Sequence, residues 1–199
     1  MLTRLLKADL ARSAVVALTL TALIALASTL MSASTSLIVD TASAMSRLSQ
    51  RAKVPDLIQM HTGDLDPATI EDWTDTRSDI TEHEIIKTLP IPRQELWIDG
   101  VSQTGSYHEP AFVTAPQSID LLLDEDGDPV HPSPGQVALP VHYKAVGAAD
   151  VGDTITVDTG DWTMDLEVVG FVRDAQMNAA MIPSKRLVIS PDDFSSFEE

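Results

Sequence analysis

The acidic run Asp-Glu-Asp-Gly-Asp at residues 124–128 is the part of this sequence best suited to bind a metal ion. It begins like a calcium-binding loop of the EF-hand type, in which carboxylates recur at alternate positions. Gly127, however, stands at the fourth loop position instead of the sixth, and no Glu closes the loop at the twelfth. The run therefore favours a solvated acidic turn, and we assign no metal site from the sequence.

Other residue types that could perform catalysis lack the required spacing. Glu82, His83 and Glu84 begin like the helix of a zinc protease, but Lys87 stands where the second His is needed. The chain has no cysteine and no phosphate-binding glycine loop. The five histidines share no ligand spacing, which favours scattered surface or hydrogen-bonded side chains; they are His61, His83, His108, His131 and His142. The sequence thus predicts no catalytic residue, no cofactor and no enzyme.

Two further groups of conspicuous residues have a sufficient structural explanation. Gly152 and Asp153 directly precede an alternating run at residues 154–157. Glycine permits a sharp entry into a strand, and the aspartate can accept hydrogen bonds from nearby backbone amides. We therefore predict a structural turn at Gly152 and Asp153 instead of a catalytic carboxylate. The tryptophans are predicted to be core residues; they are Trp73, Trp97 and Trp162.

Charge is distributed unevenly along the 199 residues. After Arg12 the chain holds 10 basic and 29 acidic residues, a net charge of −19. A region this acidic repels phosphate groups, so we expect no binding to nucleic acid. Hydrophobic residues make up 44% of the chain, and without cysteine the fold must rest on an apolar core and not on disulfides.

An uncharged run of 27 residues follows the basic N-terminus. At about 1.5 Å per residue, a helix of this length measures roughly 40 Å and exceeds the ~30 Å hydrocarbon core of a bilayer. We predict a retained transmembrane helix in contact with membrane lipid, with limits at Ser13 and Val39. A cleaved signal peptide is the alternative, because small-residue cleavage sites follow at residues 25–27 and 42–44.

The orientation of this helix depends on its basic flanks. Residues 1–12 combine three basic residues with a leucine face, which suits a short interfacial helix in the cytoplasm or the n-region of a signal peptide. Three more basic residues lie in the stretch 47–53, so the positive-inside count is a tie. The free amino terminus weakly favours a cytoplasmic N-terminus. We expect residues after about 40 to be extracytoplasmic, at the cell (plasma) membrane.

The residues after the span change from a helical to a mixed pattern. Residues 40–53 are predicted to form a helical stalk that continues the membrane helix. Residues 56–62 alternate in the manner of a buried strand, and residues 84–89 and 94–99 have the composition of two more strands. Together with one helix they predict a small α/β layer over residues 54–99.

The helix of this layer has a clear start signal. Asp66 can cap it and Pro67 suits its first position. Ile70 and Trp73 are three residues apart and are predicted to face inward.

Residues 100–190 have mostly β character. Strands are predicted at residues 111–115 and 135–140, with an acidic loop at residues 124–129 between them. One or two helical turns follow at residues 141–147. Residues 154–157 and 162–172 alternate around the turn 158–161, which predicts a β-hairpin.

The order of these parts resembles a known family. Residues 135–174 read GQVALPVHYKAVGAADVGDTITVDTGDWTMDLEVVGFVRD: a strand ending in Leu-Pro, a short helix, Gly-Asp-Thr, a hairpin and a Val-Val-Gly-Phe-Val strand. In this order the segment resembles the β-rich part of the extracytoplasmic domain of FtsX-like, MacB-type ABC transporter permeases. The long first span and the stalk are similar to the same family, and the resemblance covers most of the chain.

The resemblance implies an α+β fold with one N-terminal transmembrane helix, followed by a MacB-like core domain over residues 54–199. It implies a permease subunit that pairs with a cytoplasmic ABC ATPase subunit and forms a permease dimer. The outer domain would transmit ATP-driven motion to a substrate or an envelope partner.

Such permeases have at least three more membrane helices, and no run after Val39 is apolar and long enough to form one. We therefore expect an N-terminal fragment, truncated at its C-terminus. The alternative is a secreted or singly membrane-anchored acidic binding module that is complete at this length.

Overall fold

The computed structural model describes residues 14–160, 162–177 and 182–198, and the chain divides into two units, Met1–Ser46 and Arg47–Glu199. The predicted interfacial segment 1–12, the span limit Ser13 and the turn residue Asp161 lie outside the described residues. The fold class is confirmed: a long apolar helix near the N-terminus is followed by a mixed eight-stranded sheet with short helices.

Helix α1 runs from Ala14 to Arg51 and is long and apolar enough to cross a membrane. Its most apolar window has a mean hydropathy of 2.2, and none of its residues is buried by protein. The hydroxyls of four threonines bond to backbone carbonyls one turn earlier, at 2.8–2.9 Å; these are Thr19, Thr21, Thr29 and Thr35. A hydroxyl satisfied within its own helix can enter lipid without an unpaired donor. The helix is also continuous through the predicted stalk.

The sheet contains strands from both predicted parts of the domain. Its members are β1 (Thr88–Pro90), β2 (Leu96–Ile98), β3 (Val101–Ser102), β4 (Glu109–Thr114), β5 (Gln136–Pro140), β6 (Thr154–Asp158), β7 (Thr163–Val172) and β8 (Ser184–Ile189). The strand order is β1-β4-β8-β5-β7-β6-β2-β3. β4 pairs in parallel with β8 and β5 in parallel with β7, while the other neighbours are antiparallel. The predicted hairpin is confirmed as β6 and β7.

Apolar side chains cover both faces of this sheet, because its central strands are apolar at successive positions and alternate between the two faces. In β8, Leu187 and Ile189 join the larger core cluster, and Val188 joins the smaller one. Phe112 of β4 stands beside Leu187 in the larger cluster, and both are fully buried. Two buried faces fix the register of the central strands, since a one-residue slip would exchange the two sets of side chains.

Short helices close the ends of the sheet. Helix α2 (Pro67–Asp75) starts where predicted, and Asp66 accepts a hydrogen bond from the Ala68 amide at 3.1 Å. A 3₁₀ turn (Arg93–Glu95) precedes β2. Helix α3 (Val141–Ala145) follows β5, and α4 (Pro191–Glu198) follows β8.

Three predictions about the first part of the domain are wrong. Residues 56–62 form no strand and are exposed, because no other strand lies beside them. The strand predicted at residues 84–89 is shorter and shifted, as β1 at Thr88–Pro90. Trp73 does not face inward: it is 53% exposed, and the buried residue of α2 is Thr74. The other tryptophans are also absent from the buried core, since Trp162 is 41% exposed and Trp97 is partly buried.

Candidate functional site

The C-terminal end of α1 has a defined capping geometry. The Val54 amide donates to the Ser49 carbonyl at 3.1 Å, and the Lys53 amide donates to the Gln50 carbonyl at 3.3 Å, which is the hydrogen-bond pattern of a Schellman cap. Lys53 has a φ of +48°. A left-handed conformation costs a non-glycine residue roughly 1–2 kcal/mol. Lys53 therefore needs neighbouring interactions to hold it in this conformation.

Two backbone hydrogen bonds provide them. The Leu121 amide donates to the Ala52 carbonyl at 2.8 Å, and the Asp120 amide donates to the Lys53 carbonyl at 3.1 Å. Ala52 is completely buried, and Asp120 also has a positive φ, of +53°. We call the contact between residues 51–53 and residues 120–121 the joint. It fixes the end of α1 to the sheet domain through main-chain groups.

Arg51 adds a side-chain contact to the joint. Its Nη1 donates to the Asp126 carbonyl at 3.1 Å and lies directly over Gly127, where any Cβ would collide with the guanidinium. Gly127 also has a φ of +93°. The positive φ favours glycine here, and a Cβ at this position would displace the end of the flexible Arg51 side chain.

The acidic run 124–128 is organised by its own backbone. Asp124 Oδ1 accepts hydrogen bonds from the amides of residues 126, 127 and 128 at 2.8–2.9 Å. Hydrogen bonds from the amides of Asp128, Asp126 and Gly127 hold the pKa of Asp124 below its usual value. Glu125 instead pairs with Lys144 at 2.5 Å. Within the described residues, no three His, Asp or Glu side chains are grouped so as to hold a metal ion.

The loop that carries Asp120 is fixed from its other side by Glu84. This carboxylate accepts hydrogen bonds from the amides of Gln117, Ser118 and Ile119 at 2.7, 2.9 and 3.1 Å. Burial alone would raise the pKa of Glu84, but these hydrogen bonds outweigh it and lower the pKa. Glu84 therefore anchors the loop as an anion.

Asp120 also belongs to a buried ion triad with Asp174 and Arg186. Arg186 Nη1 donates to Asp120 Oδ2 at 2.5 Å, and its Nε donates to Asp174 Oδ2 at 2.6 Å. The three side chains are at most 8% exposed. Burial by itself lowers the pKa of Arg186, but the hydrogen bonds with Asp174 and Asp120 outweigh it and raise the pKa.

The triad extends to the turn after β7. Asp174 Oδ1 accepts hydrogen bonds from the amides of Gln176 and Met177 at 2.9 and 2.7 Å. An unbroken series of hydrogen bonds thus leads from Lys53 through Asp120, Arg186 and Asp174 to residues 176–177. These groups hold loops and one another.

A second cluster contains His108 and His142, two histidines that were predicted to be scattered. The rings of His108 and His142 are 4.6 Å apart, and Tyr143 lies 5.9 Å from His108. His108 is buried, and its Nε2 makes no hydrogen bond with the described residues. Burial, His142 and the buried Lys185 lower the pKa of His108, and burial and Lys185 lower that of His142. The expectation that every histidine is a surface or hydrogen-bonded side chain is therefore wrong for His108.

The predicted turn residues lie at the entry to β6. Gly152 has a φ of +96°, and its amide donates to the Val168 carbonyl at 2.8 Å. Asp153 Oδ2 accepts a hydrogen bond from the Asp150 amide at 2.7 Å. Neither residue shares one of these hydrogen bonds with the joint or the triad. Val39, the predicted end of the membrane span, lies within α1 and is exposed.

Sequence reasoning missed the triad entirely. Its three members are far apart in the chain, and β8 itself was not predicted. One signal was present: Lys185 and Arg186 stand side by side at the start of an apolar run, Leu-Val-Ile. A charged pair entering a buried strand requires buried partners.

Comparison of the chain with family models, with curated proteins and with solved structures gives no significant match.

Proposed function

We propose that this chain is the N-terminal part of the permease subunit of an FtsX-like, MacB-type ABC transporter. α1 crosses the cell membrane with its N-terminus in the cytoplasm, and the sheet domain lies outside. ATP-driven motion of the membrane helices, produced by a partner ATPase, reaches a substrate or an envelope partner through this domain. The order of sequence parts at residues 135–174 is the basis of the family assignment.

The joint is the observation that carries the mechanical part of this proposal. A membrane anchor that only tethers a domain needs no ordered connection, and a flexible linker serves it well. Here α1 instead ends in a cap whose carbonyls accept hydrogen bonds from Asp120 and Leu121. The buried triad then connects Asp120 to β7 and β8. A displacement of the helix end would therefore move the sheet and not merely a loop.

Co-purification tests the assignment. The full-length gene product, extracted from its own membranes in mild detergent, is expected to retain an ABC ATPase subunit in fixed stoichiometry. Recovery of the protein with no ABC ATPase would overturn the proposal. Recovery with another exported protein alone would instead favour a singly anchored acidic binding module.

Spin labels test the coupling. The chain has no cysteine, so spin labels attach only to the engineered cysteines of the double variant Thr41→Cys with Val146→Cys. The distance distribution between them is expected to shift when the partner ATPase binds ATP. The same measurement with Gly127→Ala, which displaces Arg51, is expected to broaden the distribution and weaken the shift. An ATP-insensitive distribution in the unaltered joint would contradict force transmission through it.

A further inference from the structure

The segment 55–65 belongs to no helix or strand and bends at Asp56 and Gly63. Within the described residues, none of its amides or carbonyls takes part in a backbone–backbone hydrogen bond. The segment nevertheless has the alternating pattern of a strand, with Leu57, Gln59 and His61 on one side and Ile58, Met60 and Thr62 on the other. Local sequence preference and observed environment therefore disagree at this place.

The segment is also unusually apolar for a connection. Leu57 is 82% exposed and Met60 is 76% exposed, while Ile58 and Leu65 are each more than 40% exposed. Single exposed apolar side chains are common, but connections are usually rich in Gly, Pro, Asn, Asp and Ser. Four large apolar residues within nine positions, each at least 41% exposed, would cost free energy in water that a covering partner would recover.

An added strand is the partner that fits both observations. A polypeptide in extended conformation can satisfy the free backbone groups of residues 57–62 and can cover one apolar row at the same time. A lipid surface or an amphipathic helix could cover the side chains but would leave the backbone groups unpaired.

Charge distinguishes which polypeptide this can be. Residues 54–75 carry six carboxylates and neither lysine nor arginine, and Asp56, Asp64 and Asp66 lie within the segment or directly beside it. A second copy of the chain would bring the same carboxylates against these and would be repelled. A strand flanked by lysine or arginine would instead be attracted and held in register.

We propose that residues 55–65 are a docking segment that binds an extended, alternating apolar strand with basic flanks, supplied by another polypeptide. The docking requires only the fold described above. It assigns a binding role to residues that the sheet leaves unused. Protection of residues 57–62 from hydrogen exchange in a longer gene product without any added peptide would assign the segment to the continuation of the same protein and overturn the proposal.

Peptide binding to the full chain in zwitterionic detergent tests the proposal. The probe is a fluorescent peptide of alternating valine and threonine with two lysines at each end, and the control peptide has glutamates in place of the lysines. The lysine peptide is expected to bind, more weakly at high ionic strength, and the glutamate peptide is expected to bind at least about tenfold more weakly. Hydrogen exchange measured by mass spectrometry is expected to show new protection at residues 57–62.

Variants separate side-chain from backbone recognition. The double variant Ile58→Asp with Met60→Asp, two residues on the same side, is expected to weaken binding at least about tenfold, because it removes both apolar contacts of one row. Ile58→Pro is expected to weaken it as well, since proline removes an amide donor. The matched control Val146→Asp alters an apolar residue that is 60% exposed elsewhere and is expected to bind like the unaltered chain.

Four results would overturn the proposal. They are no binding of the lysine peptide, equal binding of the two peptides, protection confined to the sheet edges β1 or β3, and no effect of the double variant. Protection of residues 57–62 in the peptide-free chain that rises with protein concentration would assign the segment to a second copy. Protection by zwitterionic vesicles alone would assign it to lipid.

Discussion

Arg186 pairs with two buried carboxylates in the interior of the domain. Without it, the buried carboxylates of Asp120 and Asp174 would lose the guanidinium that donates hydrogen bonds to both. We expect Arg186→Met to lower the free energy of unfolding by about 3–5 kcal/mol, the range for removing one partner of a buried ion pair. Urea denaturation followed by tryptophan fluorescence measures this. Arg77→Met, which breaks the exposed pair of Arg77 with Asp79, is the control and should leave the midpoint unchanged. Equal midpoints for the two variants would contradict the importance of the triad.

The turn at residues 152–153 separates backbone from side-chain effects. Gly152→Val should destabilise the domain by about 1 kcal/mol or more, because the φ of +96° is strained for a β-branched residue. Gly105→Val is the matched control, since Gly105 has no positive φ and no atom near its missing Cβ. Asp153→Asn should be mild because the amide oxygen can still accept from Asp150. Thermal melts give all three values, and a loss for Asp153→Asn as large as that for Gly152→Val would assign Asp153 a larger role.

Because the pKa of His108 is lowered, we expect the folded domain to lose stability in mild acid. The pKa values of His108 and His142 are lowered in the fold, so the unfolded chain binds more protons than the folded chain as the pH falls below about 6.5. Stability is therefore complete above that pH and decreases below it. The charged and titratable groups around His108 are Tyr107, His142, Tyr143 and Lys185.

Melting temperatures between pH 7.5 and 5 test this dependence. His108→Gln is expected to flatten the decrease, even if it changes the melting temperature at neutral pH. His131→Gln alters an exposed histidine and should reproduce the pH dependence of the unaltered protein. A decrease of the same size in all three proteins would exclude His108 as its source.

At the scale of elements, alanine substitutions at two glycines test whether the Arg51 contact holds the joint. Gly127 and Gly135 both have positive φ, +93° and +81°, but only at Gly127 would a Cβ meet another group, the guanidinium of Arg51. Alanine at either position introduces similar backbone strain, of about 1 kcal/mol. Gly127→Ala should add the loss of the Arg51 contact and speed hydrogen exchange of the Leu121 amide, which donates to Ala52. Equal exchange at Leu121 in the two variants would show that Arg51 does not hold the joint.

The elements that were predicted correctly are those with strong local signals. Asp66 and Pro67 determine the start of α2 within their own turn, and the hairpin of β6 and β7 follows from alternation around a short turn. The apolar run fixes α1 by composition alone. No pairing over a long distance in the chain is needed for any of these, so periodicity and capping suffice.

The predictions that failed depend on long-range contacts. Whether residues 56–62 become a strand is decided by a neighbouring strand, and alternation cannot show that the neighbour is absent. The joint and the triad both depend on Asp120. This residue pairs with Lys53 and with Arg186, and each partner is at least 66 positions away in the chain. A single sequence contains no signal for such pairs except the unusual entry of Lys185 and Arg186 into an apolar strand.

At the scale of the whole molecule, the acidic domain and the apolar helix favour different environments. The described part of α1 within the first unit is exposed along its apolar length, and residues after Arg12 carry a net charge of −19. Water would surround the acidic domain, and a bilayer would cover the apolar helix. We expect the helix to be retained, so that the intact mass of membrane-extracted protein includes residues 1–40. A mature N-terminus at Ser28 or Met45 would show cleavage of a signal peptide instead.

The proposed direction in which α1 crosses the membrane can be tested on the chain itself. Basic residues flank the apolar run on both sides, so the charge count leaves the direction nearly balanced, while a long acidic domain is exported largely regardless of its charge. Because the chain has no cysteine, Lys7→Cys and Val146→Cys each provide one reactive thiol at opposite ends of the span. A membrane-impermeant maleimide should label Val146→Cys in intact cells and Lys7→Cys only after permeabilisation, with the unaltered chain as the unlabelled control. Labelling of Lys7→Cys alone in intact cells would place the sheet domain in the cytoplasm, where it could not act on an envelope partner.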